Sequence, residues 1–175
     1  WDDLWLNEAF ASWMGDKITH QLFPQYNTPT RELRGTQVAM ETDARLSTRA
    51  IRQSVNASAN FDWLFDELAY QKGQAVLGML ENWLGADVFR RGVLEYLKEH
   101  EWSNATAGDL WRALSNASGR DVTSATTSFL DQSGVPLVIL DLQPGGKVHL
   151  QQRRFLNHGI EAPRATSWKI PVTLK

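Results

Sequence analysis

A mostly α-helical body over residues 1–133, followed from residue 134 by the opening strands of a β-structure, is the fold class this chain predicts. Three observations carry it. Apolar residues recur at three- and four-residue spacing up to residue 133, the spacing of one helix face. At Gly134-Val135-Pro136 the pattern switches to dense, β-branched runs. Across 175 residues, a 42% hydrophobic and 10% aromatic content, with eight Trp, suffices for a core.

The elements follow in order. Residues 6–20 read as a helix whose bulky side carries Leu6, Phe10, Trp13 and Met14. Residues 31–46 read as a second, opened by a Thr28-Pro29-Thr30 turn and buried through Val38, Met40 and Leu46. The stretch 47–60 is polar and rich in breakers, hence a loop in which Arg49 reads as solvated. Residues 66–84 form a strong helical run despite Gly73 and Gly78. Each glycine costs about 1 kcal/mol relative to Ala inside a helix, so both imply a close neighbour. Helices at 87–100, 106–117 (Thr106 as N-cap) and 122–132 complete the helical part. Strands are expected at 137–142 and 148–155 around a Pro144-Gly145-Gly146-Lys147 turn, and at 168–174.

The first helix puts a carboxylate, Glu8, in line with Ala11, Ser12 and Gly15. Small residues admit a second backbone, and a carboxylate in such a groove needs an ion partner, hydrogen bonds or a cation. The plainer alternative is an acid favouring the positive end of the helix, worth a few tenths to about 1 kcal/mol. Tyr70, in the later helical run, reads by itself as a core or boundary tyrosine.

Trp5-Leu6-Asn7-Glu8-Ala9-Phe10-Ala11 resembles the WLNEGFA segment of the aminopeptidase N-like zinc metallopeptidases, the gluzincin aminopeptidases. Phe65-Asp66-Glu67-Leu68-Ala69-Tyr70-Gln71-Lys72-Gly73 and the following Gln74 to Leu80 resemble that family's second motif, F-D-x-I-x-Y-x-K-G-A-x-V-L-x-M-L. The resemblance implies the C-terminal helical half of a thermolysin-like catalytic domain (1–133) and the start of a β-sandwich (134–175). It implies Glu8 as the third ligand of a Zn2+ ion whose other two ligands are His residues of an H-E-x-x-H helix. Two His and a carboxylate leave such a metal an open position for water. It further implies Tyr70 as hydrogen-bond donor to the oxyanion formed when a peptide carbonyl is attacked. The resemblance also places Thr48-Arg49-Ala50-Ile51 along the substrate cleft, against the alternative of a solvated Arg49; Ala9 departs from the family's Gly, and Lys72 is given no catalytic role and reads as a solvated or structural cation. Asp3 or Asn7 either supports Glu8 by a hydrogen bond or caps its helix.

The four histidines, His20, His100, His149 and His158, show no ligand spacing, and the chain opens without Met inside a motif. The expectation is a piece of a larger peptidase acting on peptide substrates, with the His ligands and general base upstream in the same parent chain. By itself such a piece is expected to bind zinc poorly and to be inactive. Rival readings are a non-catalytic scaffold that has lost its His ligands and a relative that also opens an epoxide. A net charge of −2 carries no nucleic-acid footprint, and no apolar run is long enough to span a membrane. The absence of cysteine excludes disulfides and fits a cytoplasm or a periplasm. Three N-x-S/T triplets, at Asn56, Asn104 and Asn116, are of a kind that chance supplies often.

Overall fold

Helix α1 (Leu4–Leu22) turns Trp5, Leu6, Ala9 and Trp13 into the interior, a three- and four-residue spacing that lines one side of a helix. The computed structural model describes residues 2–54, 62–157, 159–160 and 165–173. Trp1, the Asn56-Ala57-Ser58 triplet with the rest of the expected loop to residue 60, His158 and Leu174 lie outside these. After α1 come a short 3-10 turn (Pro24–Tyr26) and α2 (Thr28–Asp43). Then follow a second 3-10 turn (Asp62–Leu64), a π-helical turn (Leu68–Lys72) and α3 (Gly73–Leu84) running on from it. Helices α4 (Ala86–Glu99), α5 (Ala107–Ser118) and α6 (Val122–Leu130) precede an antiparallel hairpin of β1 (Val135–Gln143) and β2 (Lys147–Phe155). The fold is thus mostly helical with one small sheet among the described residues, as the spacing predicts.

The core lies where α1, α3, α4, α5 and α6 meet. Leu77, Leu80, Leu110, Leu114 and Val122 are wholly buried there, Trp5 stacks on Trp111 at 6.1 Å, and Trp13 packs on Phe89 at 5.2 Å. Thr106 caps α5 as expected. Its hydroxyl accepts from the Asp109 amide at 3.3 Å, and Asp109 accepts from the Thr106 amide at 2.8 Å, a reciprocal capping box. The Thr106 amide and hydroxyl, both donating to the carboxylate, and Arg112 hold the Asp109 carboxyl down at about 2. Asp121 caps α6 in the same manner through the Ser124 amide.

Four expectations need correction. Val38, Met40 and Leu46 do not bury α2; each is exposed, and the helix instead turns in Thr28, Ala39 and Asp43. A carboxylate can occupy that inner face because partners from three other segments reach it. The third strand is absent: residues 165–173 run without ladder pairing. Side chains serve their backbone instead, since Gln152 both accepts from the Trp168 amide at 2.7 Å and donates to its carbonyl at 2.8 Å, while Ser128 accepts from the Lys169 amide. Pro171 brings no amide to a ladder. The run 66–84 is not uniformly α, because its first turn is π. Finally, Gly78 has nothing within 4 Å of where a Cβ would stand, so among the described residues it marks no close approach.

Gly73 behaves as expected. A Cβ there would stand 2.6 Å from the Ala9 Cβ and 3.3 Å from the Trp5 ring, so its bare backbone is what lets α3 lie against α1. Alanine is the better helix former by about 1 kcal/mol, but overpacking a tight contact costs about 1–3 kcal/mol. Gly73→Ala should therefore lower stability in urea or thermal unfolding, and Ala9→Gly in the same chain should restore most of the loss. Equal stability of Gly73→Ala and the native protein would show that the helices are free to part.

Candidate active site

Glu8 and Tyr70, far apart in sequence, meet on one face. Glu8 is half-buried on the side of α1, beside the apolar stripe of Trp5, Leu6, Ala9 and Trp13 but not part of it. Tyr70 is partly buried in the middle of the π-helical turn and packs its ring against the core. Its hydroxyl faces the Glu8 carboxylate, and the interaction with Glu8, together with burial, raises the phenol above its ordinary value of 10.0. Tyr70 is therefore a neutral donor throughout the neutral pH range. Asn7 donates to Glu8, from Nδ2 to Oε1 at 3.1 Å. Beyond Glu8 the small-residue line is open: Ala11 and Gly15 are exposed.

Asn7 thus supports the carboxylate, whereas Asp3 serves a different helix. Asp3 Oδ2 accepts from the Ala107 amide at 2.9 Å, in the first turn of α5, and Oδ1 lies 3.4 Å from Arg52 Nε. Neither Asp3 nor Asn7 caps α1 with its side chain; Asp3 occupies the cap position without a side-chain bond.

The turn carrying Tyr70 is built by residues around it. Asp66 Oδ1 accepts from the amides of Leu68 at 3.0 Å and Ala69 at 3.1 Å, satisfying donors that a helix start leaves free. Arg49 Nη2 holds the same oxygen at 2.8 Å and stacks its guanidinium 5.2 Å from the centre of Trp63. Arg49 is accordingly neither solvated nor directed at a substrate; it ties the loop after α2 to the start of the π-turn. At the other end the Gly73 amide reaches back to the Leu68 carbonyl, the five-residue step that defines a π-turn.

Lys72 is structural rather than solvated. Its Nζ lies 2.7 Å from Asp43 Oδ2, with the two side chains 10% and 0% exposed. Burial lowers the Lys72 ammonium below its usual range and the Asp43 charge opposes that shift. Asp43 Oδ1 accepts from the Gly134 amide at 2.7 Å and the Thr48 hydroxyl at 3.1 Å. Removing one member of such a pair leaves a buried charge uncompensated, at about 3–5 kcal/mol. Sequence reasoning had no signal for this pairing, because Asp43 and Lys72 are not local neighbours on one helix. Asp66 was more legible: an Asp directly ahead of an apolar helical run is a capping residue.

Chemically, the face offers one carboxylate and one neutral phenol facing each other. Among the described residues no group of three His, Cys, Asp or Glu side chains could hold a metal ion. Glu8 therefore fits a metal as one donor of a set that other residues would have to complete.

Residues 1–129 match the model of the peptidase family M1 domain. The chain belongs to peptidase family M1. It is 38% identical over 99% of its length to "Aminopeptidase M1" of Arabidopsis thaliana, of which it covers 20%. It is 37% identical over its full length to "Leucyl aminopeptidase" of Saccharolobus solfataricus, covering 22% of that protein. With "Aminopeptidase 2" of Candida albicans the identity is 38% over 91% of the chain and 17% of the relative. This M1 chain thus spans about a fifth of the length of the curated relatives it matches. Among its described residues no helix is long and apolar enough to cross a membrane.

Proposed function

We propose that this chain is the part of a zinc-dependent aminopeptidase that contributes Glu8 as one metal ligand and Tyr70 as oxyanion donor, in a protein that hydrolyses the N-terminal bond of peptides. The observation that carries the reading is the approach of Tyr70 to Glu8 where the π-turn packs on α1. It joins the carriers of two separate family motifs on one face, beside an open line of small residues. The relatives named as aminopeptidases support the same reaction class. In this reading residues 1–133 belong to a catalytic domain and 134–175 begin another.

Zinc, when bound, supplies Lewis-acid polarisation of the scissile carbonyl and acidifies water. The chain's own residues do the rest. Glu8 would hold the metal through a carboxylate that Asn7 keeps oriented by its amide. Tyr70 is a neutral donor set in a largely apolar wall, so it stabilises negative charge growing on the carbonyl oxygen without giving up its own proton. The remaining ligands and the general base come from the rest of the parent protein.

The test is aminopeptidase activity of the full-length parent on aminoacyl p-nitroanilides and short peptides, before and after chelation and zinc return. Activity lost on chelation and recovered with zinc is expected. The 175-residue chain alone, after dialysis, should retain well under one zinc per chain, because one carboxylate competes poorly with water. Full activity in chelator, or stoichiometric zinc on the isolated chain, would overturn the reading.

A further inference from the structure

We infer that the buried Asp43–Lys72 ion pair is a positioning device for Tyr70, clamping the end of the π-turn so that the phenol is held toward Glu8. The inference rests on the role proposed for Tyr70 above and adds a residue pair through which that role is secured.

A π-turn is rarer than an α-turn and tends to mark functional sites, and here its support comes from outside the turn. Each position has its own restraint. Leu68 and Ala69 are buried with their amides on Asp66, and Gln71 lies against α2, its Cγ 2.9 Å from where a Gly35 Cβ would be. Lys72 is held by Asp43, and Gly73 abuts Ala9. Tyr70 sits between these anchors, its ring packed against the core and its hydroxyl within the influence of Glu8.

The chemistry of the clamp points to geometry rather than to bulk stability. A fully buried ion pair is commonly no more stabilising than well-packed apolar residues of the same size. Here it lies beside a largely apolar cavity of about 190 Å³ lined by Ala39, Met40, Val76, Met79 and Phe129. Space of that kind lets Lys72 swing once Asp43 no longer holds it. The same carboxylate fixes the Gly134 amide and the Thr48 hydroxyl, so α2, the loop after it and the entry to β1 together form the anvil for one lysine. Lys72 follows Tyr70 by two residues in the same turn, and misplacing a reacting group by about 1 Å can cost about 10²-fold in rate.

The experiment is a double-mutant cycle in the full-length parent, with Lys72→Met and Asp43→Asn each made in the native and the Tyr70→Phe backgrounds. Unfolding curves and zinc content establish that each variant is folded and loaded. In the native background kcat should fall about tenfold or more with KM within about twofold, and Lys72→Arg should recover part of the loss. Deuterium exchange across residues 66–74 should speed up in Lys72→Met. In the Tyr70→Phe background the same changes should alter kcat by less than about twofold, since the phenol they position is gone. Should Lys72→Met not fold, Asp43→Asn and Lys72→Arg, which keep side-chain volume, carry the cycle. Losses that add fully to that of Tyr70→Phe, or unchanged kcat in folded, zinc-loaded Lys72 and Asp43 variants, would overturn the positioning role alone. Near-normal kcat in Tyr70→Phe itself would remove the role of Tyr70, and the clamp's purpose with it.

Discussion

Glu8→Ala in the full-length protein is expected to abolish peptidase activity through loss of metal while leaving the fold in place. Removing a hydrogen-bonding partner of a metal ligand already costs about 10–100-fold in affinity or activity; removing a ligand should cost more. The fold should survive because α1 is held by Trp5, Leu6, Ala9 and Trp13, and Glu8 stands half-buried beside that stripe. Glu8→Asp keeps the charge but shortens its reach, so partial zinc and reduced activity are expected. Metal analysis beside circular dichroism separates the cases. A folded Glu8→Ala protein with native zinc content would show that Glu8 is not a ligand.

Tyr70→Phe tests the second assignment by deleting one oxygen. A tyrosine serving only to pack the core would lose about 1 kcal/mol of stability and little rate. An oxyanion donor should lose about 10²-fold or more in kcat. Zinc content and KM should hardly move, because the bond strengthens as charge develops on the carbonyl oxygen. Glu8 keeps its Asn7 contact in the variant, so loss of the Tyr70 hydroxyl need not disturb the ligand. Stopped-time assays on an aminoacyl substrate read the outcome directly, and near-normal kcat would return Tyr70 to a packing role.

The two motifs were legible in the chain because each is a local string of residues, whereas their meeting on one face is a tertiary contact between α1 and the π-turn. Glu8 in line with small residues and Tyr70 in an amphipathic run could be picked out before any tertiary contact was known. Their supports could not. Arg49 reads as a solvated or substrate-facing cation until Asp66 and Trp63 are seen around it, and Lys72 reads as an exposed or structural one until Asp43 is.

What the sequence alone determined is whatever is written within one or two turns of chain. Helix positions follow from apolar spacing, the Thr106 cap from a hydroxyl three residues ahead of Asp109, and the hairpin from β-branched runs around two glycines at positive φ, Gly145 and Gly146. What only the tertiary structure decided is which of two possible faces is buried and which partner a charge finds. Helix α2 exposes Val38 and Met40 because Lys72, Thr48 and Gly134 arrive to satisfy Asp43 on its inner face. Residues 165–173 stay out of the sheet because Gln152 and Ser128 reach their backbone first. Periodicity ranks faces by hydrophobicity, whereas burial of a charge or a strand depends on hydrogen-bond partners brought from distant parts of the chain.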